Sequence, residues 1–181
     1  AYRGKWNATD QIPQRAVDDG SLSRLDTVDS SDGGDVSRYS LSGAWQRTAG
    51  NAVTKANVYV IQHDLKLFSN FTYFMDDPVN GDQFMQPDKR TLSAASISQA
   101  WLTQWGDREV ENTIGLQLQN DDINNALHNT KERQILSTTR KDHIVESSAA
   151  VYLQNSLRWM EKFRTVAGLR SDFYRFDVNS D

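Results

Sequence analysis

The chain has 181 residues, a formal net charge of -4, no cysteine and only 38% hydrophobic residues, with a mean hydropathy of -0.67 and a pI near 5.4. The lack of cysteine excludes disulfides, thiolate metal sites and a Cys nucleophile, and an acidic balance with no basic stripe argues against nucleic acid as a partner. No apolar run approaches the length of a spanning helix, and the opening AYRGKWNATD lacks the pattern of a signal peptide, so the sequence predicts a soluble chain or one that crosses a membrane with strands.

Residues 1–37 read as a long external loop. From Arg38 to Thr48, Tyr39, Leu41 and Trp45 alternate with Ser40, Ser42 and Gln46, a period of two that predicts a strand. From Lys55 to Ser69, Tyr59, Ile61, Leu65 and Leu67 are expected on one face, interrupted by His63, and Gln62, Asp64 and Lys66 on the other. Asn70 to Asp88 is rich in aromatic and turn residues, with Asp77-Pro78 and Asn80-Gly81 as turn signals, and predicts a loop with room for a short hairpin. Residues 89–104 read as a strand of ambiguous facing, because Ile97 and Trp101 favour one side and Leu92 and Leu102 the other. After the QWGDR turn, Val110, Ile114, Leu116 and Leu118 oppose Glu111, Thr113, Gln117 and Gln119. A long polar section, Ile123 to His143, is expected to loop around Asn129, with RQILSTTR extending the strands. From Ile144 to Trp159, Ala149, Val151, Leu153, Leu157 and Trp159 oppose Ser148, Tyr152, Gln154 and Arg158. The last strand sets Phe163, Thr165, Ala167, Leu169, Ser171 and Phe173 against Arg164, Arg170 and Asp172.

These segments predict an all-β antiparallel meander of about six to eight strands. Short connections (Gly50, Gly106, Glu161) alternate with long ones (before Arg38, around Pro78, around Asn129), the arrangement of a transmembrane barrel with turns at one end and loops at the other. Trp45, Trp101, Trp105 and Trp159 fall near the short turns, and Phe68, Phe71, Tyr73, Phe74, Phe173, Tyr174 and Phe176 toward the long loops. Two aromatic girdles around an aliphatic band are expected of such a barrel.

The carboxylates of DSSDGGD, Asp29 to Asp35, suggest a calcium loop but lack EF-hand spacing, and Asp76, Asp77, Asn80 and Asp82 read more simply as turn chemistry. His63, His128 and His143 have no metal-ligand spacing. Neither a GxSxG nucleophile nor a phosphate-cradling glycine loop occurs, so no catalytic residue, cofactor or metal is assigned.

The segments GKWNATDQIPQRAV (Gly4 to Val17), RYSLSGAW (Arg38 to Trp45), DLKLFSNFTYFMDDPVNGDQFMQPDKR (Asp64 to Arg90), ENTIGLQLQND (Glu111 to Asp121) and VAGLRSDFYRFDV (Val166 to Val178) resemble the barrel of TonB-dependent outer-membrane receptors. The resemblance implies an internal segment of a large barrel, residues 1–181, without the plug domain and with about six crossing strands. It implies a place in the bacterial outer membrane and uptake of a scarce solute such as a siderophore or other metal chelate. The implied partners are that solute, the lipid bilayer and a TonB-type energy-coupling protein acting through an absent N-terminal region. Glu111, Gln117, Arg158, Arg170 and Asp172 would line the wet lumen, and the loops from Ala1 to Ser37, around Pro78 and around Asn129 would gate and select. The competing expectation is a soluble β-rich module that binds glycan through Phe71 to Phe74.

Overall fold

In a computed structural model that describes residues 1–8 and 11–181, the elements are β1 (Tyr2–Asn7), α1 (Gln14–Asp18), β2 (Gly33–Ala49), β3 (Ala52–Ser69), β4 (Phe84–Trp105), β5 (Arg108–Lys131), β6 (Gln134–Met160) and β7 (Phe163–Ser180). The strands form one open sheet in the order β1 to β7, every neighbour antiparallel, so the protein is an all-β meander of seven strands. No described helix is long and apolar enough to cross a membrane. From β2 onward the strands run 17 to 27 residues, several times the usual 5 or 6 or so.

Tight turns explain how strands of this length stay in register. Gly50 (φ 59°) and Gly106 (φ 62°) each open a two-residue turn between paired ends, Ala49 with Ala52 and Trp105 with Arg108. The left-handed conformation there costs glycine little.

Three boundaries differ from the sequence reading. The segment 1–37 is not all loop, because β1 pairs along Gly33 to Arg38. Glycine permits that approach: a Cβ on Gly33 would sit 2.2 Å from the Trp6 carbonyl oxygen, and one on Gly34 would sit 2.5 Å from the Trp6 ring and 2.6 Å from the Lys66 carbonyl oxygen. The loop expected around Asn129 is strand, since β5 and β6 continue to a tight turn at Glu132-Arg133. Its two central residues are left-handed (φ 49° and 65°) without glycine, and so carry no turn signature in the sequence. The connection between β3 and β4 forms turns and bends over residues 70–83, with no hairpin.

Opposed residues of an antiparallel pair share a face, so the register assigns every side chain. One row runs Trp45, Ala56, Ile97, Leu116, Val151, Ser171, and the next runs Ala44, Asn57, Ser96, Gln117, Ala150, Asp172 on the opposite face. The facing of β4 is thereby decided: Ile97 and Trp101 lie with Leu116 on the apolar face, and Leu92 lies with Gln117 on the polar one. For β3 the expectation was reversed. Tyr59, Ile61, Leu65 and Leu67 share the face of Gln117, whereas Ala56, Val58 and Val60 join Leu116. Both faces of β3 carry apolar residues, so alternation alone does not choose between them, and only pairing to β4 fixes the facing.

The buried apolar set is small, Phe68, Met85, Ile123, Ala150 and Leu157, and the apolar face is open: Leu116 is 37% exposed, Leu153 52% and Leu169 74%. A soluble domain covers such a face with a second layer. The described residues supply none.

Candidate functional site

The polar face holds all five residues expected to line a lumen, and the structure brings three of them together. On β7, the Arg170 Nε donates to both Asp172 carboxylate oxygens at 2.9 and 3.0 Å, and its Nη1 reaches across to Gln117 Oε1 of β5 at 2.8 Å. Asn57, Tyr59, Gln119, Ser148 and Tyr174 complete the wall of a shallow concavity of about 410 Å³. Its charged pair sums to zero, and its amides and hydroxyls, set among Ala94, Ala95, Leu118 and Ala150, can hydrogen-bond water or a polar solute. Glu111 and Arg158 lie elsewhere on the face. Glu111 opposes Ser156, and Arg158 pairs with Glu109 at 3.2 Å instead.

Two features of this wall were not foreseen. The Tyr152 ring lies flat over Gly115, so close that a Cβ there would meet it at 2.2 Å. Cross-strand opposition of the two residues places the ring where glycine leaves space. Nearer the loops, Arg90 pairs with Asp88 and, at 3.4 Å, with Asp121, whose other carboxylate oxygen is buried without a hydrogen-bond partner. Asp88 and Arg90 are two residues apart on one strand and therefore on the same side.

At the loop end a buried polar clamp joins three distant segments. Gln83, 2% exposed, shares its Nε2 donors among Asp29 Oδ2 (3.1 Å), Ser31 Oγ (2.7 Å) and Asp32 Oδ1 (3.1 Å). Its Oε1 accepts from Thr130 Oγ1 and the Arg133 backbone N–H, both at 3.0 Å. The Arg133 side chain donates to the Ser31 carbonyl at 2.6 Å and lies 5.1 Å over the Phe68 ring. Burial alone would raise the Asp29 carboxyl, but hydrogen bonds from Asn70, Ser31 and Gln83 outweigh it and hold the group below the usual carboxylate range. The acids of DSSDGGD thus organise the loop: Asp29 and Asp32 accept side-chain donors, and Asp35 belongs to β2. Likewise, Asp82 accepts the backbone N–H groups of Met75, Asp76 and Asp77, the turn chemistry expected of this segment. Among the described residues, no group of three or more His, Asp or Glu side chains is placed to hold a metal ion.

The apolar face carries one aromatic girdle. Trp45, Trp101, Trp105, Trp159 and Phe163 all fall on it toward the short turns, and Trp105 meets Trp159 edge to face at 6.2 Å. The second girdle is only partly there. Phe173 is on this face, but Tyr174 and Phe176 stack together at 6.3 Å on the polar one, and Phe68 is buried. Phe71 packs against Phe84 at 5.4 Å, and the Tyr73 hydroxyl donates to the Gln11 carbonyl. Within the apolar face, Asn155 Nδ2 donates to Asn112 Oδ1 at 2.8 Å.

The chain matches no family model, and no curated protein matches it significantly.

Proposed function

We propose that this chain is part of a transmembrane β-barrel of the outer membrane, in a receptor of the TonB-dependent kind that admits a scarce solute through its lumen. The observation that carries the reading is the facing. Six neighbouring strands, β2 to β7, present one largely aliphatic face that no described residue covers and that ends in tryptophans, and an opposite face rich in amides, hydroxyls and paired charges. On β5 the apolar positions run from Val110 to Leu118, close to the roughly 9 to 11 residues with which a tilted strand crosses a bilayer. Beyond Leu118 the same face of β5 turns polar, at Asn120, Asp122 and Asn124, as a segment standing above a membrane would. The aliphatic face meets lipid, the Arg170, Asp172 and Gln117 network wets the lumen, and the clamp around Gln83 holds the external loops. Coupling to a TonB-type protein belongs to other parts of the receptor.

A soluble glycan-binding module has less support, because the Tyr73 hydroxyl is bonded to the Gln11 carbonyl and none of the described residues covers the aliphatic face. Nitroxide labels in bilayers separate the readings. Labels at Val58, Leu116, Leu153 and Leu169 are expected to relax with oxygen dissolved in lipid, and labels at Tyr59, Gln117, Gln154 and Arg170 with aqueous nickel complexes. Equal water access at both sets would refute the barrel.

A further inference from the structure

At the short-turn end of the apolar face, the Arg108 guanidinium lies 4.9 Å from the Trp159 ring and 5.9 Å from the Trp105 ring. The two indoles stand at 71° to one another, and Trp159 is fixed by an Nε1 hydrogen bond to Thr165 Oγ1 at 2.9 Å. Contact with ring faces holds a guanidinium but leaves its in-plane N–H donors free. Those donors are not used for an ion pair among the described residues. The adjacent acid, Glu109, points to the opposite face, where it binds Arg158 at 3.2 Å. A positive group is therefore held between two exposed indoles, with aliphatic surface on one side and the Gly106-Asp107 turn on the other, and no carboxylate among the described residues forms an ion pair with it.

Building on the membrane placement, we propose that Trp105, Arg108 and Trp159 form a site for the phosphate of an anionic phospholipid in the leaflet at the short-turn end. The planar guanidinium fork matches two phosphate oxygens. The indoles belong at the headgroup level and set the depth of the fork, while the acyl chains lie along the aliphatic strip below. The occupant is a lipid rather than free phosphate because the two indoles beside the fork are exposed on the aliphatic face, and a phosphate carried on acyl chains covers that surface as it reaches the guanidinium.

The test uses the chain in phosphatidylcholine vesicles with and without phosphatidylglycerol. Quenching of tryptophan by bromine-labelled acyl chains reports membrane contact, and spin-labelled phosphatidylglycerol measures headgroup preference. The unaltered chain is expected to prefer phosphatidylglycerol, Arg108→Gln to lose that preference several-fold, and Arg108→Lys to recover only part of it. Arg164→Gln, at the same end but on the polar face, is expected to change nothing. Unchanged preference in Arg108→Gln, with acyl-chain quenching intact, would overturn the site and leave the membrane reading standing. No acyl-chain quenching in any variant would overturn both.

Discussion

Gly115 and Tyr152 show how one position is set by its neighbour. Alanine at 115 would force the Tyr152 ring aside, and loss of this cross-strand contact is expected to cost about 1 kcal/mol. In a Tyr152→Ala background the same change should be neutral or stabilising, as a double-mutant cycle by denaturant unfolding would show. Gln83 is the converse case, a buried amide that donates to Asp29, Ser31 and Asp32 and accepts from Thr130 and the Arg133 backbone N–H. Gln83→Leu is expected to cost about 1–3 kcal/mol and to expose residues 70–83 to protease, and an unchanged cleavage rate would mean that the clamp does not hold this loop. Asp77 is held below the usual carboxylate range first by the Asn80 backbone N–H, then by the Asn80 side chain and Val79. Because its folded value is depressed, its contribution is complete above the ordinary carboxylate pKa and is lost as pH falls through the folded value. Amide protection of Val79 and Asn80 should accordingly persist below the ordinary carboxylate value and disappear only as pH falls through the depressed folded value.

At the scale of the strand, the alternation of faces makes adjacent residues opposite in consequence. Leu153→Arg places a charge on the aliphatic face and is expected to destabilise the bilayer-embedded protein by about 2–4 kcal/mol if it lies near mid-membrane. Gln154→Arg, one residue on, faces the polar wall and should cost little. Unfolding from vesicles measures both, and equal costs would reject the placement of β6. The Asn112 and Asn155 pair fits the same logic, since two amides that bond to each other reduce the desolvation cost that either would bear alone.

For the whole molecule, the decisive fact is that seven strands form an open sheet, with β1 at one edge and β7 at the other. Every residue of β7 is exposed, so its outer edge offers unpaired N–H and C=O groups. In lipid each such group costs several kcal/mol, so copies of the chain pair edge to edge in a bilayer, and in water the uncovered leucines favour association. The separate chain is therefore expected to self-associate in detergent-free buffer by light scattering. A well-dispersed monomer with full sheet content would count against the barrel and for a soluble module.

The period of two, read from residues such as Ile114, Leu116 and Leu118 against Gln117 and Gln119, was enough to establish an all-β meander, its short turns at Gly50, Gly106 and Glu161, and the facing of β2, β5, β6 and β7. Alternation is local physics, written in neighbouring residues. It did not settle β3, where Tyr59 and Val58 are both apolar, or β4, where Ile97 and Leu92 compete, because both faces carry hydrophobic residues and only hydrogen-bonded register to the next strand chooses between them. Of the five lumen candidates, sequence placed all on one face but could not tell that Arg170 reaches Gln117 while Arg158 turns to Glu109, a matter of lateral distance between strands. The clamp was invisible for the same reason: Asp29, Gln83 and Arg133 stand about 50 residues apart from one to the next, and each is an ordinary polar residue until the sheet carries all three to one end and excludes water from among them.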